Sequence, residues 1–211
     1  MNSDVSQAIS GLYEAFHRRG GAPVISGCPC CTDQGEFDTL AVMPLRELSA
    51  NSLERYARKA MTTVGHADTF RYFLPRIVEL AVADAFLVER EVIFGKLRFG
   101  RWAEWPDAER NAIQVFSRAV SATFALREYD PVELDEWVCA LGQFTTELVT
   151  LLQPLFRETT QARSNLAALV RYNSEGLAAG ALANAFWADE NSNRQVFVDW
   201  LYEQRVQPAA G

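Results

Sequence analysis

Three of the four cysteines lie within four consecutive residues, at Cys28, Cys30 and Cys31, with Pro29 between the first two. Cys28 and Cys31 have the C-x-x-C spacing that allows two thiolates to bind one tetrahedral Zn²⁺, and Cys30 supplies a third. The spacing also resembles the C-P-x-C motif of glutaredoxins, but that motif follows a strand and opens a helix, whereas this one follows a predicted helix. The segment predicts a structural zinc site, with redox chemistry and inert thiols as alternatives.

A closed tetrahedral zinc site needs one more ligand than the three clustered cysteines supply. The sequence offers few side chains that could serve, and the candidates are His17, His66, Asp33 and Cys139. Cys139 falls on the side of a predicted helix opposite its leucine stripe, with no second ligand near in sequence. A partly exposed cysteine, or one packed against a second layer, is the favoured interpretation of this residue.

A second group of residues that could bind a ligand is basic. Six basic and three acidic side chains between residues 46 and 76 give this stretch a charge of +3, within a chain of net charge −7. They are Arg46, Arg55, Arg58, Lys59, Arg71 and Arg76, against Glu47, Glu54 and Asp68. An anionic ligand or an acidic partner would suit such a patch. Solvated helix faces are the more ordinary explanation, because basic residues generally decorate surfaces.

Other function classes receive little support from the composition. The chain has no phosphate-binding loop, no G-x-G-x-x-G and no H-E-x-x-H. An acidic run at residues 128–136 matches the charge preference of a helix N-terminus. The net charge of −7 argues against nucleic-acid binding, and no apolar run reaches the length of a membrane span. With no signal peptide evident and clustered cysteines that suit a reducing compartment, a cytoplasmic protein is predicted.

The elements that must position these residues are predicted to be helices, because apolar residues recur at helical spacing through most of the chain. Residues 86–101 are ambiguous between strand and helix, and Pro75 predicts a kink or a delayed helix start. Asn51 or Ser52 can cap one helix, which ends at Gly65, and Asp68 can cap the next. Helices are further predicted over residues 3–19, 106–127, 131–152, 160–173, 175–187 and 191–205.

These patterns predict an all-α fold, a single-domain orthogonal or layered bundle of seven to eight helices over residues 1–207. A HEAT-like stack of helical hairpins is the alternative. Residues 20–50 are expected to form an irregular cysteine-containing segment, and residues 208–211 a disordered tail. Around Pro75, four apolar residues are predicted to be core: Phe70, Phe73, Leu74 and Ile77.

Four short stretches occur together in this chain: residues 27–31 (GCPCC), 44–48 (PLREL), 63–65 (TVG) and 70–77 (FRYFLPRI). With Tyr56 between them, they resemble a family of uncharacterised bacterial helical proteins that carry a C-P-C-C motif and a TVG…FLPR segment. Residues 186–187 and 200–201 also resemble this family, but more weakly. The main part of the resemblance covers residues 27–77. It implies a bacterial origin with no known activity, so it assigns no functional residue.

Small size, acidic charge, helical character and the lack of a catalytic motif predict a non-enzymatic cytosolic protein-interaction module. An adaptor or a toxin-neutralising protein with one protein partner would be of this type, and neither nucleic acid nor membrane is expected as a ligand. The alternative is an enzyme that uses the Cys28–Cys31 cluster through a metal or a thiol. A bound metal with an open coordination position would favour that enzyme.

Overall fold

A computed structural model describes residues 2–18, 21–27, 35, 37–187 and 191–206. Within these residues the chain forms ten α-helices and no strand, and 70% of the structure is helical. The prediction of an all-α fold is confirmed, with ten helices where seven to eight were expected. None of the described helices is long and apolar enough to cross a membrane.

Contacts within the chain group it into two compact units, Met1–Phe116 and Ser117–Gly211, which are described separately. The single domain over residues 1–207 stays a prediction, and the expected tail at 208–211 lies outside the described residues. Unit 1 contains five helices and most of a sixth: α1 Ser3–Ala15, α2 Asp38–Val42, α3 Ala50–Lys59, α4 Ala67–Val82, α5 Arg90–Phe99 and α6 Asp107–Ala122.

Two helix starts in unit 1 differ from the predicted caps. The Ser49 hydroxyl oxygen accepts a hydrogen bond from the backbone N–H of Ser52 at 3.2 Å, so Ser49 caps α3 instead of Asn51 or Ser52. α4 begins directly after His66, so the prediction that Asp68 caps this helix was wrong. Asp68 lies in the first turn instead, where a negative charge favours the positive end of the helix dipole.

The helix ends of unit 1 are also shifted. α1 ends at Ala15, which leaves His17 beyond the helix, and α3 ends at Lys59 instead of Gly65. Met61, with a φ of 62°, is in the left-handed region that helices avoid, which ends α3 early. Within the ambiguous residues 86–101, Arg90–Phe99 form the helix α5, and α4 runs through Pro75 without a delayed start.

α4 packs against α1, α3, α5 and a 3-10 turn at Leu45–Glu47. The prediction of its core is confirmed, because all four residues are at most 1% exposed: Phe70, Phe73, Leu74 and Ile77. The ring of Phe73 contacts the ring of Tyr56 from α3, with 4.8 Å between centroids. This packing fixes the end of α1 and the 3-10 turn on the same side of α4.

Unit 2 contains four complete helices, of which α9 packs against the other three: α7 Pro131–Gly142, α8 Leu148–Glu158, α9 Thr160–Leu177 and α10 Ser192–Val206. The predicted start of α7 is confirmed. The Asp130 carboxylate accepts hydrogen bonds from the N–H groups of Val132 and Glu133, and Pro131 occupies the first helical turn, where its missing N–H costs nothing.

The predicted helix over residues 131–152 is two helices, because a residue distant in sequence holds the turn between them. The Asn193 amide donates to the carbonyl oxygens of Gly142 at 3.1 Å and Thr145 at 2.6 Å. Its oxygen accepts the N–H of Leu148 at 3.2 Å. Asn193 therefore satisfies carbonyls at the end of α7 and an amide at the start of α8, groups that helix termini leave unpaired.

The predicted helix over residues 175–187 was wrong. α9 continues unbroken through residue 174 and ends at Leu177, after which Gly180 takes a φ of 69°. The small residues of this stretch lie in an irregular segment, where the backbone N–H of Ala183 donates to the Asn173 side chain at 2.9 Å. A side-chain acceptor on α9 thus replaces the carbonyl that a helix would supply.

Candidate functional site

The predicted zinc ligands of the cysteine segment lie outside the described residues: Cys28, Cys30 and Cys31, together with the candidate fourth ligand Asp33. His17 is exposed just after α1, and His66 immediately precedes α4. Over the part of the chain that the structure describes, no group of three His, Cys, Asp or Glu side chains could hold a metal ion. The zinc site remains a prediction from the sequence.

Cys139 is buried on α7, with the buried Asp135 one turn before it and Gln143, the buried residue that follows the helix, one turn after it. Its sulfur lies 3.5 Å from the Gln143 side-chain amide nitrogen, which also donates to the carbonyl oxygen of Phe186 at 3.0 Å. Of the two positions expected for Cys139, the structure has the packed one, not the partly exposed one. The segment around Phe186 is hydrogen-bonded to this side of the chain through Gln143.

Asp135 is a buried carboxyl group in unit 2, although the sequence analysis explained its acidic run by the charge preference of a helix N-terminus. Its side-chain oxygen accepts a hydrogen bond from the Asn173 amide at 2.8 Å. Burial raises the pKa of the Asp135 carboxyl, and hydrogen bonds from Asn173 and Asn184 oppose this rise without cancelling it. Since the bonds join α7, α9 and the irregular segment after α9, Asp135 serves the packing of unit 2.

Half of the predicted basic patch is neutralised by carboxylates. Three arginines of α3 and α4 each form an ion pair: Arg58 with Glu54 and Glu89, Arg71 with Glu109 and Asp68, and Arg76 with Glu79. Arg46 differs from them, since it makes no ion pair with a carboxylate among the described residues. Arg55 and Lys59 also interact with other groups of the chain. The interpretation of this stretch as one positive surface therefore applies only to the surroundings of Arg46.

Arg46 lies at a cleft of about 670 Å³ in unit 1, which we call the α1–α4 cleft. Its walls come from the end of α1, from the segment around the 3-10 turn and from α4: Tyr13, Glu14, Phe16, His17, Arg18, Gly21, Pro44, Leu45, Arg46, Glu47 and Tyr72. Cavities of roughly 300–1,000 Å³ are typical of ligand sites. Such sites are lined mostly by apolar and aromatic groups with a few polar ones, whereas this cleft also carries four charged side chains.

Tyr13 is fixed in the cleft wall by a hydrogen-bond network on α4. Its hydroxyl donates to Glu79 Oε2 at 2.6 Å, and Arg76 donates to the same oxygen at 2.6 Å. Arg76 also donates to the carbonyl oxygen of Leu48 at 2.7 Å, which holds the end of the 3-10 turn on α4. One carboxylate and one guanidinium thus join three segments that are separate in sequence.

The hydrogen-bond network shifts the pKa values of its two acidic groups, the Tyr13 hydroxyl and the Glu79 carboxyl. Burial raises the pKa of the Tyr13 hydroxyl above its ordinary value, and the hydrogen bond to Glu79 raises it further. Burial would also raise the pKa of Glu79, but the hydrogen bonds from Tyr13 and Arg76 outweigh it, so that this pKa is lowered. At neutral pH Tyr13 keeps its proton and Glu79 remains ionised, so neither group exchanges protons readily.

The guanidinium of Arg46 lies over the Tyr13 ring, with 3.6 Å between its central carbon and the ring centroid. Stacking of this kind uses the flat face of the guanidinium and leaves the N–H donors at its edge available. Arg46 is exposed to solvent. Its donors are therefore presented at the mouth of the cleft in a fixed orientation.

A second set of ion pairs supports the other end of the cleft. Arg18 donates to Asp68 at 3.2 Å, and Arg71 donates to the same Asp68 oxygen at 2.7 Å. Arg71 also forms a two-bond pair with Glu109, at 2.6 and 2.7 Å. Interactions with Arg18, and to a smaller extent with Arg71, lower the pKa of Asp68. Because Asp68 is ionised beside it, Arg18 has its positive charge partly neutralised.

The sequence identified only part of this site. Arg46 and Arg76 belonged to the predicted basic patch, and His17 was a candidate ligand, but Tyr13, Tyr72 and Glu79 carried no signal of function. Tyrosines and glutamates at helical spacing are ordinary, and only the packing of α1 on α4 brings them together. Comparisons of this chain with protein-family models, with curated proteins and with solved structures found no match.

Proposed function

We propose that this protein is a cytoplasmic binding module without catalysis of its own, which docks a protein partner at the α1–α4 cleft. An adaptor or a toxin-neutralising protein would work in this way. The observation that carries the proposal is the cleft itself, with Arg46 stacked on Tyr13 at its mouth. Aromatic and arginine side chains of this kind dominate the energetic centres of protein interfaces.

The state of the titratable groups supports binding over proton transfer. A general acid or base works best with a pKa near the operating pH. The pKa of Tyr13 is moved upward and that of Glu79 downward, which takes both away from neutrality. The Tyr13 hydroxyl also donates a short hydrogen bond to Glu79, and Glu79 accepts a second one from Arg76, an arrangement that suits a rigid wall better than a reacting centre.

The proposal is tested by capturing partners from a lysate of the native cell with the wild-type protein and with two variants. Arg46→Glu reverses the charge at the mouth of the cleft, and Arg98→Glu makes the same change at an exposed position on α5 outside the cleft lining. A stoichiometric partner should bind the wild type and Arg98→Glu. Arg46→Glu should weaken binding by tenfold or more, about 1.4 kcal/mol, in calorimetry with the purified partner.

Two results would contradict the proposal. Equal affinity of the partner for wild type and Arg46→Glu would place the interface elsewhere on the chain. Turnover of a small molecule that is lost in Tyr13→Phe would show that the cleft is an active site, since that variant keeps the ring under Arg46 and removes only the hydroxyl.

A further inference from the structure

We infer that the α1–α4 cleft recognises an acidic side chain next to an apolar one in a peptide segment of its partner, with Arg46 binding the carboxylate. This inference rests on the proposed function and adds the chemistry of what enters the cleft. It is carried by charge complementarity between the edge of the Arg46 guanidinium and a carboxylate, and by the apolar surface next to it.

Arg46 is available to an external anion because of how its neighbours are arranged. Arg46 stacks on Tyr13, and its charge also acts on Glu79 through space, but among the described residues no carboxylate lies within ion-pair distance of it. Tyr13 cannot turn away without losing its hydrogen bond to Glu79. The guanidinium is therefore oriented before a ligand arrives, and the planar fork at its edge matches the two oxygens of a carboxylate.

The charge around Arg46 favours a singly charged group over a highly charged one. Glu14 and Glu47 line the same cleft, and the charge of Arg18 is shared with Asp68. A nucleic-acid backbone or a polyphosphate would meet these carboxylates and the net charge of −7 of the chain. A single carboxylate can pair with Arg46 while the acidic residues remain in solvent.

The remaining lining favours an apolar neighbour beside that carboxylate. Pro44, Leu45 and Tyr72 contribute non-polar surface, and Phe16 lies behind them as a buried ring. An aromatic or aliphatic side chain placed there would be removed from water, which is favourable in proportion to the apolar area covered. Two adjacent residues of a bent peptide segment, one acidic and one apolar, can direct both side chains to the same side and so present this combination, whereas an extended strand would point them apart.

The test uses two acetylated and amidated dipeptides, glutamyl-phenylalanine and glutaminyl-phenylalanine, which have the same shape and differ by one charge. Each is titrated to millimolar concentration into the labelled protein while NMR follows the Arg46 side-chain N–H and the rings of Tyr13 and Tyr72. The glutamyl peptide should shift these signals and bind about three- to fivefold more tightly than the glutaminyl peptide, as expected for an exposed ion pair.

Variants of the cleft separate the charge from the apolar contact. Arg46→Gln should remove the preference for the glutamyl peptide, whereas the control Arg98→Gln should retain it. Glu47→Gln should strengthen binding of the glutamyl peptide, because it removes a like charge from the cleft.

Each remaining outcome has a definite meaning. Equal binding of the two dipeptides at the cleft would overturn the inference and leave the cleft as a docking site. Stronger competition by inorganic phosphate than by acetate would overturn it in favour of a phosphate group. If neither peptide shifts the cleft signals although a protein partner is lost in Arg46→Glu, the inference fails while the proposed function stands. If that partner also binds Arg46→Glu normally, both fail.

Discussion

Replacement of Glu79 by glutamine tests whether its carboxylate holds the cleft wall together. Glu79 Oε2 accepts two short hydrogen bonds, one from the Tyr13 hydroxyl and one from Arg76. The side chains of Glu79 and Arg76 are 26% and 18% exposed, so water screens the pair only in part. A hydrogen bond to a charged group contributes about 1.5–3 kcal/mol when buried, and an exposed ion pair at most about 1 kcal/mol. We expect Glu79→Gln to lower the free energy of unfolding by about 2 kcal/mol, between these limits.

A double-mutant cycle separates the shared bond from the rest of the network. Tyr13→Phe removes only the hydroxyl and should cost about 1 kcal/mol. Because Glu79→Gln replaces the charged acceptor of the Tyr13 hydroxyl by a neutral amide oxygen and Tyr13→Phe removes the donor, the double variant should lose less free energy of unfolding than the sum of the two single losses. Urea unfolding followed by tryptophan fluorescence measures all four proteins. Glu47→Gln is the matched control, since Glu47 is an exposed cleft carboxylate, and it should leave stability unchanged.

The pH dependence of the stability difference between wild type and Glu79→Gln tests the role of the carboxylate independently. The pKa of Glu79 is lowered in the folded protein, so its contribution is fully present above its ordinary pKa of 4.5. That contribution is lost as the pH falls through the lowered pKa, and the stability difference between wild type and Glu79→Gln should shrink there. Additive effects of the two substitutions, or a difference that does not change with pH, would refute the role given to this carboxylate.

Three further predictions concern the core, the buried acid of unit 2 and the cysteine cluster. Phe73→Ala should cost roughly 3–5 kcal/mol in urea unfolding, because the ring is fully buried, whereas the exposed Phe99→Ala should cost below about 0.5 kcal/mol; a loss for Phe73 below about 1 kcal/mol would contradict its core role. The raised pKa of Asp135 means that its favourable contribution is complete below the ordinary pKa of 3.8 and is lost as the pH rises through the folded value. The stability of the wild type relative to Asp135→Asn should therefore fall over that interval, and a constant difference would argue against a buried carboxyl. Elemental analysis of protein purified without a metal-affinity column should find about one zinc ion per chain; less than about 0.2, with every thiol titrating in the native state, would remove the predicted zinc site.

Several features of this protein follow from local sequence alone. Helical periodicity of apolar residues is a property of neighbouring positions, so the all-α class and the buried face of α4 could be predicted before any contact was known. The start of α7 was predictable for the same reason, because Asp130 and Pro131 act on amides within one turn of themselves.

Features that depend on residues far apart in sequence could not be predicted. α7 ends at Gly142 because Asn193 bonds to carbonyls there, whereas the leucine pattern of residues 131–152 continues in phase and indicates one helix. Residues 178–187 are rich in alanine and were predicted to be helical, yet the side chains of Asn173 and Gln143 hold them in an irregular path. In both places a side chain on another element offers the backbone better partners than further helix would.

The candidate site likewise combines features set by local sequence with features set by contacts between distant residues. Its individual residues are ordinary in the sequence: Tyr13 belongs to the first helix, Arg46 to a short turn, and Tyr72 and Glu79 to the fourth helix. The sequence determined that Arg46 is charged and that Tyr13 is an aromatic residue on a helix. Only the packing of α1 and the 3-10 turn on α4 decided that the guanidinium lies over the ring and that Glu79 holds the ring in place. Stacking and short hydrogen bonds depend on distances of a few ångströms between separate segments, and the order of residues along a chain does not contain those distances until the core has packed.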